Sequence, residues 1–184
     1  MRPSAIISIL APVALALPAT LVSRAEDLAP RVLTQISALN EALGGLTTAV
    51  NNFDGTLLGV LPQSLAVIGA ETKLDATTVK TTLIVNRSSN FTDAESQEVV
   101  GALAGLIGPI QTSLDVLKAK YPLFKKTLES PIVLLDLKIL KKHTDQLIDA
   151  VTKKVTEPNV GLLGLGKGII DQAFDDAINV YKGN

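Results

Sequence analysis

The side chains that could do chemistry are few and lie far apart along the 184 residues. Cysteine is absent and His143 is the sole histidine, which excludes thiol catalysis, thiolate metal sites and most histidine metal centres. A catalytic histidine needs a nucleophile or an acid held beside it, and nothing in the sequence around His143 identifies one. We therefore expect His143 to lie on the surface of a helix, and we expect no enzyme activity, no metal site and no cofactor.

A glycine-rich segment, residues 161–168, superficially resembles a phosphate-binding loop because it contains G-L-G-K-G. It lacks the preceding strand and the G-x-x-x-x-G-K-[ST] spacing that such a loop requires. The segment follows Glu157 and Pro158, which predict the end of a helix, and it precedes a final apolar stripe. We interpret it as a flexible hinge between two helices.

The N-terminus has the pattern of a secretory signal peptide. Arg2 supplies the positive charge and residues 5–17 are almost wholly apolar. An A-L-A sequence ending at Ala16 offers one cleavage site, and Ala19 offers a second. The apolar run is shorter than the roughly 20 residues of a membrane span, and prolines interrupt it. We predict a signal peptide over residues 1–19, a secreted protein and no transmembrane segment.

Two N-glycosylation sequons lie close together, N-R-S at Asn86 and N-F-T at Asn90. A single sequon in a chain of this size is close to chance, but two in one predicted loop behind a signal peptide are better evidence. We predict a glycan on Asn86, on Asn90 or on both.

The apolar side chains are nearly all aliphatic. They make up 47% of the sequence, whereas aromatic residues make up 3% and tryptophan is absent. Branched aliphatic walls suit flexible acyl chains as readily as they suit self-packing. Nucleic acid is a poor partner, because the chain has no basic excess and no aromatic residues interleaved with basic ones.

Apolar spacing of three and four predicts long amphipathic helices. The first covers residues 27–53, with Gly44 and Gly45 marking a bend, and the second covers residues 61–85. The apolar stripe of the first helix consists of Val32, Ile36, Leu39, Leu43, Leu46, Val50 and Phe53. The positions expected to face inward in the second helix are Leu65, Ile68, Val79 and Leu83.

A capping box at Thr92 and Glu95 begins the next helical stretch, which Pro109 and Pro122 should kink or divide. Ser130 begins a fourth helix that ends at Glu157, and a last helix follows the glycine-rich segment. We predict an all-α, antiparallel bundle of about five helices forming one domain over residues 20–184. Apolar residues also spread beyond the stripes, so the helices either enclose a cavity or expose apolar surface.

The sequence resembles a known family, the fungal cell-wall galactomannoproteins that include hydrophobic surface-binding protein A. Residues 131–145 read PIVLLDLKILKKHTD, which is similar to the family's L-K-x-L-K-K-x-T-D run. Residues 120–124, KYPLF, and 173–178, AFDDAI, extend the resemblance over most of the chain. The resemblance implies a secreted helical bundle associated with the cell wall and its polysaccharide. The chain has one domain and no long Ser/Thr-rich stalk, so firm anchoring in the wall is not implied.

Two functions follow from the resemblance and the composition. The first is binding of fatty acids or similar lipids in an apolar cavity between helices, and the alternative is adsorption to hydrophobic surfaces by a structural or adhesive protein. The residues expected to line the cavity are Ile36, Leu39, Leu43, Leu103, Ile107, Ile110, Leu114, Leu137, Leu140 and Phe174. The candidate polar contacts for a head group are Gln35, Gln111, Thr112, Ser113 and Thr144. A lysine-rich region, residues 118–154, could steer such a group toward one end, and solvated helix faces are the plainer alternative.

Overall fold

Six helices and no strand make up residues 28–56 and 58–183, the part of the chain that the computed structural model describes. The predicted all-α class is confirmed. The predicted signal peptide lies outside the described residues. The helices are α1 Ala29–Asn51, α2 Val60–Arg87, α3 Asp93–Ala104, α4 Ile107–Lys126, α5 Ser130–Thr152 and α6 Glu157–Lys182.

Five of the helices form a closed ring. Around it, α1 packs against α2, α2 against α5, α5 against α6, α6 against α4, and α4 against α1. The short helix α3 leads into α4 and packs against α1 and α6. Each helix of the ring therefore has two neighbours and turns one face toward a shared interior.

Contacts between helices fix their directions. Thr47 hydrogen-bonds Ser113, and further along both helices Phe53 stacks on Phe124, so α1 and α4 run parallel. The same ordering of contacts makes α4 parallel to α6 and α2 parallel to α5. α1 runs antiparallel to α2, and α5 runs antiparallel to α4 and α6, as predicted, but three of the neighbouring pairs in space are parallel.

The apolar stripe predicted for the first helix is buried in α1. Val32, Ile36, Leu39, Leu43 and Val50 all face the core. The helix runs through Gly44 and Gly45 without a break, because tertiary packing of the stripe outweighs the roughly 1 kcal/mol that each glycine costs.

The inward positions predicted for the second helix are wrong. Leu65, Ile68, Val79 and Leu83 of α2 are exposed, and the face that packs inward carries Val67, Leu74, Thr78, Thr81, Ile84 and Val85. Buried threonine is tolerated here because its hydroxyl donates to the carbonyl four residues earlier. Thr78 donates to Leu74 in this way, so its polar atom is satisfied without a partner in the core.

The end predicted for the fourth helix and the hinge that follows it are also wrong. α5 ends at Thr152, and Glu157 and Pro158 begin α6, which contains the whole glycine-rich segment. Proline suits the first turn of a helix, and an acidic residue there interacts favourably with the helix dipole. The glycines stay helical because buried residues such as Leu163 and Ile170 hold the segment against the core.

The stretch from Asp93 to Lys126 is divided near Gly105 and Pro109, as predicted, whereas α4 continues through Pro122 without a division. The capping box of Thr92 and Glu95 begins α3, which confirms the predicted start. The chain leaves the helix at Gly105 and re-enters it with Pro109 in the first turn of α4, where its missing amide costs nothing.

The same stretch is long and apolar enough to cross a membrane, with a mean hydropathy of 1.4. In the bundle it packs against α1 and α6 and surrounds the shared interior. Only 28% of its most apolar 18-residue window is buried, and several apolar side chains of the stretch line that interior.

Candidate functional site

The ring of helices encloses an apolar cavity of about 420 Å³. All six helices contribute to its wall, and leucine and isoleucine side chains dominate it. Cavities that are lined by aliphatic groups with few polar atoms are the usual sites for apolar ligands in proteins. The geometry of this interior therefore suits an apolar guest.

Eight of the ten residues predicted for the lining reach the cavity wall. They are Leu39, Leu43, Leu103, Ile107, Ile110, Leu114, Leu140 and Phe174. Ile36 and Leu137 do not reach the wall, and both are buried in the core beside it. The stripe of each helix is longer than the cavity, so some of its positions pack on other side chains instead.

Of the five candidate polar contacts, Ser113 and Thr144 line the cavity. Ser113 is buried and hydrogen-bonds Thr47, so one wall of the cavity carries a paired hydroxyl. Gln35 and Thr112 do not reach the wall, and Gln111 lies in a shallow groove between α4 and α6 on the outside.

The first half of α6 supplies a large part of the wall, and the sequence prediction missed it. The residues are Asn159, Leu162, Leu163, Leu165, Gly166, Lys167, Ile169 and Ile170. The spacing of Leu163, Ile170 and Phe174 by seven and four already continued the stripe of the last helix backwards. The four glycines of residues 161–168 concealed it, because glycine is typical of connectors.

The cavity opens between α3 and the first half of α6. Leu162, Leu165 and Ile169 belong to the wall and are nevertheless 47–70% exposed. Across from them, Gln97 and Gly101 of α3 are also exposed members of the wall. We call this opening the mouth. An apolar ligand can reach the interior there without passing a charged rim.

An aromatic cluster lies beyond the other end of the cavity. Phe53 and Phe124 stack with their ring centroids 4.3 Å apart, and Tyr121 meets Tyr181 edge to face at 5.0 Å. The Tyr181 hydroxyl donates to the Leu117 carbonyl over 2.7 Å, and burial raises the pKa of this phenol above its usual range. These rings pack the bundle tightly where α1, α4 and α6 end.

The cationic side chain in the wall, Lys167, is already paired. Its Nζ lies 2.6 Å from Asp145 and within 4.0 Å of Asp149 and Asp171. Burial acts to lower the pKa of Lys167, but the hydrogen bond and the charge of Asp145 outweigh it, so the pKa is raised. Burial and the neighbouring Asp145 raise the pKa of Asp171. This lysine is therefore surrounded by carboxyl groups and offers little attraction to a ligand carboxylate.

The lysine-rich region does not gather at the cavity. Lys120 donates to the carbonyls of Asn51 and Phe53 at the end of α1, and Lys154 donates to the Ser88 carbonyl. Lys141 pairs with Asp175 over 2.6 Å. These lysines join helix ends and neighbouring helices.

His143 is not the surface residue that the sequence predicted. It lies half-buried between α5 and α2, with its Nδ1 2.5 Å from an Asp75 carboxylate oxygen. Burial and the charges of Asp136 and Asp75 raise the pKa of Glu71 to about 7, and burial and Asp75 raise that of Asp136. Among the described residues, no hydroxyl hydrogen-bonds the imidazole and no cluster could hold a metal ion. The histidine joins two helices.

A family model and several solved structures match this chain. A family model described as hydrophobic surface binding protein A matches residues 29–153. The crystal structure of AfMP4p in complex with palmitic acid superposes with a TM-score of 0.79 at 33% sequence identity, covering 83% of this chain and 99% of that one. No curated protein sequence matches the chain significantly.

Two more distant structures share the architecture. Ligand binding domain 1 of the Penicillium marneffei MP1 protein, complexed with arachidonic acids, has a TM-score of 0.76 at 16% identity, covering 83% of this chain and 98% of that one. Ligand binding domain 2 of the same protein, complexed with multiple arachidonic acids, has a TM-score of 0.76 at 14% identity, with 86% and 98% covered. At these identities the likeness shows a common fold alone.

Proposed function

The chain belongs to the hydrophobic surface binding protein A family, and we propose that it binds a fatty acid or a related lipid in the cavity between its helices. The observation that carries this proposal is the enclosed aliphatic cavity with an apolar mouth. The palmitic acid complex of AfMP4p, a relative with one third of its residues identical, supports it.

The binding energy comes from burial of the acyl chain. Each methylene removed from water contributes about 0.8 kcal/mol, so a chain of about 14 methylenes gains roughly 11 kcal/mol before other costs. Loss of translational freedom and ordering of the flexible chain offset a large part of that free energy. The aliphatic wall needs no specific polar contact to hold such a guest, and it accepts several chain lengths.

The head group lies at the mouth in this proposal. Gln97 is exposed there and offers an amide donor, whereas Lys167 is occupied by three carboxyl groups. A carboxylate at the mouth keeps contact with water and avoids the cost of burying a charge without a partner. The terminal methyl group then points toward Phe174 and the aromatic cluster.

The test is native mass spectrometry of the secreted protein, followed by titration with a fatty acid after lipid removal. Leu140→Phe adds bulk to the cavity wall and should lower fatty-acid affinity at least tenfold. Leu83→Phe makes the same change on the outside of α2 and serves as the matched control. A chain that retains no lipid and is not saturated by a fatty acid would refute the proposal.

The chain acts after secretion, and it acts by binding and not by catalysis. Residues 1–19 are removed as a signal peptide and residues 20–184 form the mature domain. Glycan is attached to Asn86, to Asn90 or to both, and both side chains are exposed. Association with cell-wall polysaccharide retains it near the cell. N-terminal sequencing and the mass of the secreted protein before and after enzymatic deglycosylation test these points.

A second candidate function is adsorption to hydrophobic surfaces. The exposed large apolar side chains favour it, among them Leu58, Leu61, Leu128, Leu135 and Leu165. Adsorption to a hydrophobic solid that is unchanged when the cavity is filled with fatty acid would establish it as a separate activity.

A further inference from the structure

The outward face of α2 carries a row of exposed apolar side chains. Leu61, Leu65, Ile68, Val79 and Leu83 are 37–74% exposed and share one face, because their spacings of four, three, eleven and four are close to whole helical turns. No large apolar side chain lies on this face between Ile68 and Val79, so the row consists of two groups. We call these five residues the outer stripe. Between Leu61 and Leu83 the helix rises about 33 Å, so the stripe runs along most of α2.

The bundle itself leaves the outer stripe uncovered. The inner face of α2 packs in the core through residues such as Val67 and Leu74, and its flanks contact α1 and α5. An exposed apolar strip of this length on a soluble domain usually marks a binding surface.

The charges beside the outer stripe identify the partner. Lys73, Lys80 and Arg87 are exposed and spaced by seven, so they form a row along the edge of the stripe that faces α1. None of the three has an ion pair with another described residue.

The acidic residues of the same helix lie on the opposite edge and turn away from water. Glu71 and Asp75 are half-buried against α5, where Asp75 pairs with His143. The exposed charge along the outer stripe is therefore positive, although the whole chain has a net charge of −1.

We propose that α2 docks the protein on lipid bilayers that contain anionic lipids. The outer stripe enters the boundary between head groups and acyl chains, and Lys73, Lys80 and Arg87 contact the lipid phosphates. An apolar face bordered by lysine and arginine is the pattern of helices that lie in the membrane interface. The inference goes beyond ligand binding in the cavity and does not rest on it.

Docking through α2 turns the mouth of the cavity away from the membrane. In the ring, α2 lies between α1 and α5, whereas the mouth lies between α3 and α6. A protein bound in this way keeps its cavity open to the surrounding water, so membrane binding and fatty-acid loading are independent of each other.

The test is co-sedimentation of the full secreted chain with vesicles of phosphatidylcholine alone or with about 30% phosphatidylserine, at low and at high salt. We expect at least tenfold stronger binding to the anionic vesicles, and we expect high salt to abolish the difference. Replacing Lys73, Lys80 and Arg87 together by Gln should weaken this binding about a hundredfold, or about fivefold for each charge.

Two further variants complete the test. Leu65→Ser with Ile68→Ser removes the centre of the outer stripe and should abolish vesicle binding while fatty-acid loading is unchanged. The matched control replaces three exposed lysines of α5 and its end, Lys138, Lys142 and Lys153, by Gln. It removes the same charge from another face and should bind like the unsubstituted chain.

Three results would overturn the proposal. The first is equal binding to neutral and anionic vesicles at low salt, which would indicate adsorption to any apolar surface. The second is an equal loss of binding in the two triple variants. The third is a dimer that dissociates on Leu65→Ser with Ile68→Ser and binds no vesicles, which would assign the outer stripe to a second copy of the chain.

Discussion

The molecule has two aliphatic regions of similar composition, the cavity wall inside the ring and the outer stripe on α2. Leucine and isoleucine dominate both, and the residues of both recur at helical spacing. They differ in what lies opposite them. The wall faces other aliphatic side chains across a void, whereas the outer stripe faces water and has cations along one edge. Composition and spacing alone therefore do not separate an enclosed site from an exposed one.

Truncating one leucine in the core, one in the cavity wall and one in the outer stripe should lower the free energy of unfolding by different amounts. Leu137→Ala, in the packed core, should lower the free energy of unfolding by about 3–4 kcal/mol. Leu114→Ala, in the wall, should cost about 2–3 kcal/mol, because its side chain already borders a void and loses fewer contacts. Leu65→Ala, in the outer stripe, should change stability by less than about 0.5 kcal/mol. Denaturant unfolding measures all three, and an equal cost in core and stripe would contradict the assignment.

The amino-acid pattern indicates the buried face of α1 correctly and that of α2 wrongly. In α1 the buried positions were predicted correctly, because its large apolar side chains other than Leu33 all fall on one face. In α2 apolar residues occupy both faces, and the inward face includes Thr78 and Thr81, so the pattern favoured the wrong side. Which face is buried is determined by packing against α1 and α5, and α5 is distant from α2 in the sequence.

The wall contributed by α6 was hidden for a different physical reason. Glycine weakens a helix by about 1 kcal/mol per residue, so four glycines in eight residues predict a break. Packing of Leu163 and Ile170 against the core supplies the compensating stabilisation, and that packing exists only in the folded bundle. The position of the mouth depends on the same contacts, and no pattern in the sequence indicates it.

Stabilising α6 at the mouth should slow the exchange of fatty acid with the cavity. Gly161, Gly164 and Gly168 are exposed, and a methyl group on each would meet no neighbouring atom. Replacing all three by Ala should raise stability by about 2–3 kcal/mol and slow the entry and release of fatty acid, because α6 borders the mouth. Stopped-flow exchange of a fluorescent fatty acid measures the rates.

The control for this prediction lies in α1. Gly44→Ala with Gly45→Ala adds methyl groups that also meet no neighbour, but far from the mouth. This variant should gain stability and leave the exchange rates unchanged. Equal slowing by both sets of substitutions would show that global stability, and not the α6 segment, controls access to the cavity.

The acidic cluster beside the outer stripe should make stability depend on pH. The pKa of Glu71 is about 7 in the folded chain and about 4.5 when unfolded, because burial and then the charges of Asp136 and Asp75 disfavour its ionisation. The folded state therefore holds the proton more tightly, and stability should fall as pH rises from about 4.5 to about 7. Since the carboxyl group is only half-buried, we expect a loss of about 1 kcal/mol.

Glu71→Gln should recover that loss at pH 8 and flatten the profile between pH 4.5 and 7, measured by thermal unfolding. Glu41→Gln removes an exposed carboxylate of α1 and should leave the profile unchanged. A steeper loss of stability in the Glu71 variant would contradict the charge distribution around α2.

Glycan occupancy of the two sequons bears on docking through α2. Asn90 lies in the turn after α2, whereas Asn86 lies in its last helical turn, three residues beyond Leu83 on the same face. A glycan on Asn86 would stand in the way of a membrane docked on the outer stripe. We predict glycan on Asn90 and not on Asn86, as mapped by mass spectrometry of glycopeptides, and full occupancy of Asn86 would count against docking through α2.

The most direct measurement compares the two aliphatic regions in one spectrum. With a ¹³C-labelled fatty acid bound to the lipid-free protein, nuclear Overhauser effects report which side chains touch the acyl methylenes. Binding inside the bundle predicts contacts from these methylenes to Leu43, Leu114 and Phe174 of the cavity wall and none to Leu65 of the outer stripe. Contacts to Leu65 without contacts to the wall would contradict binding inside the bundle.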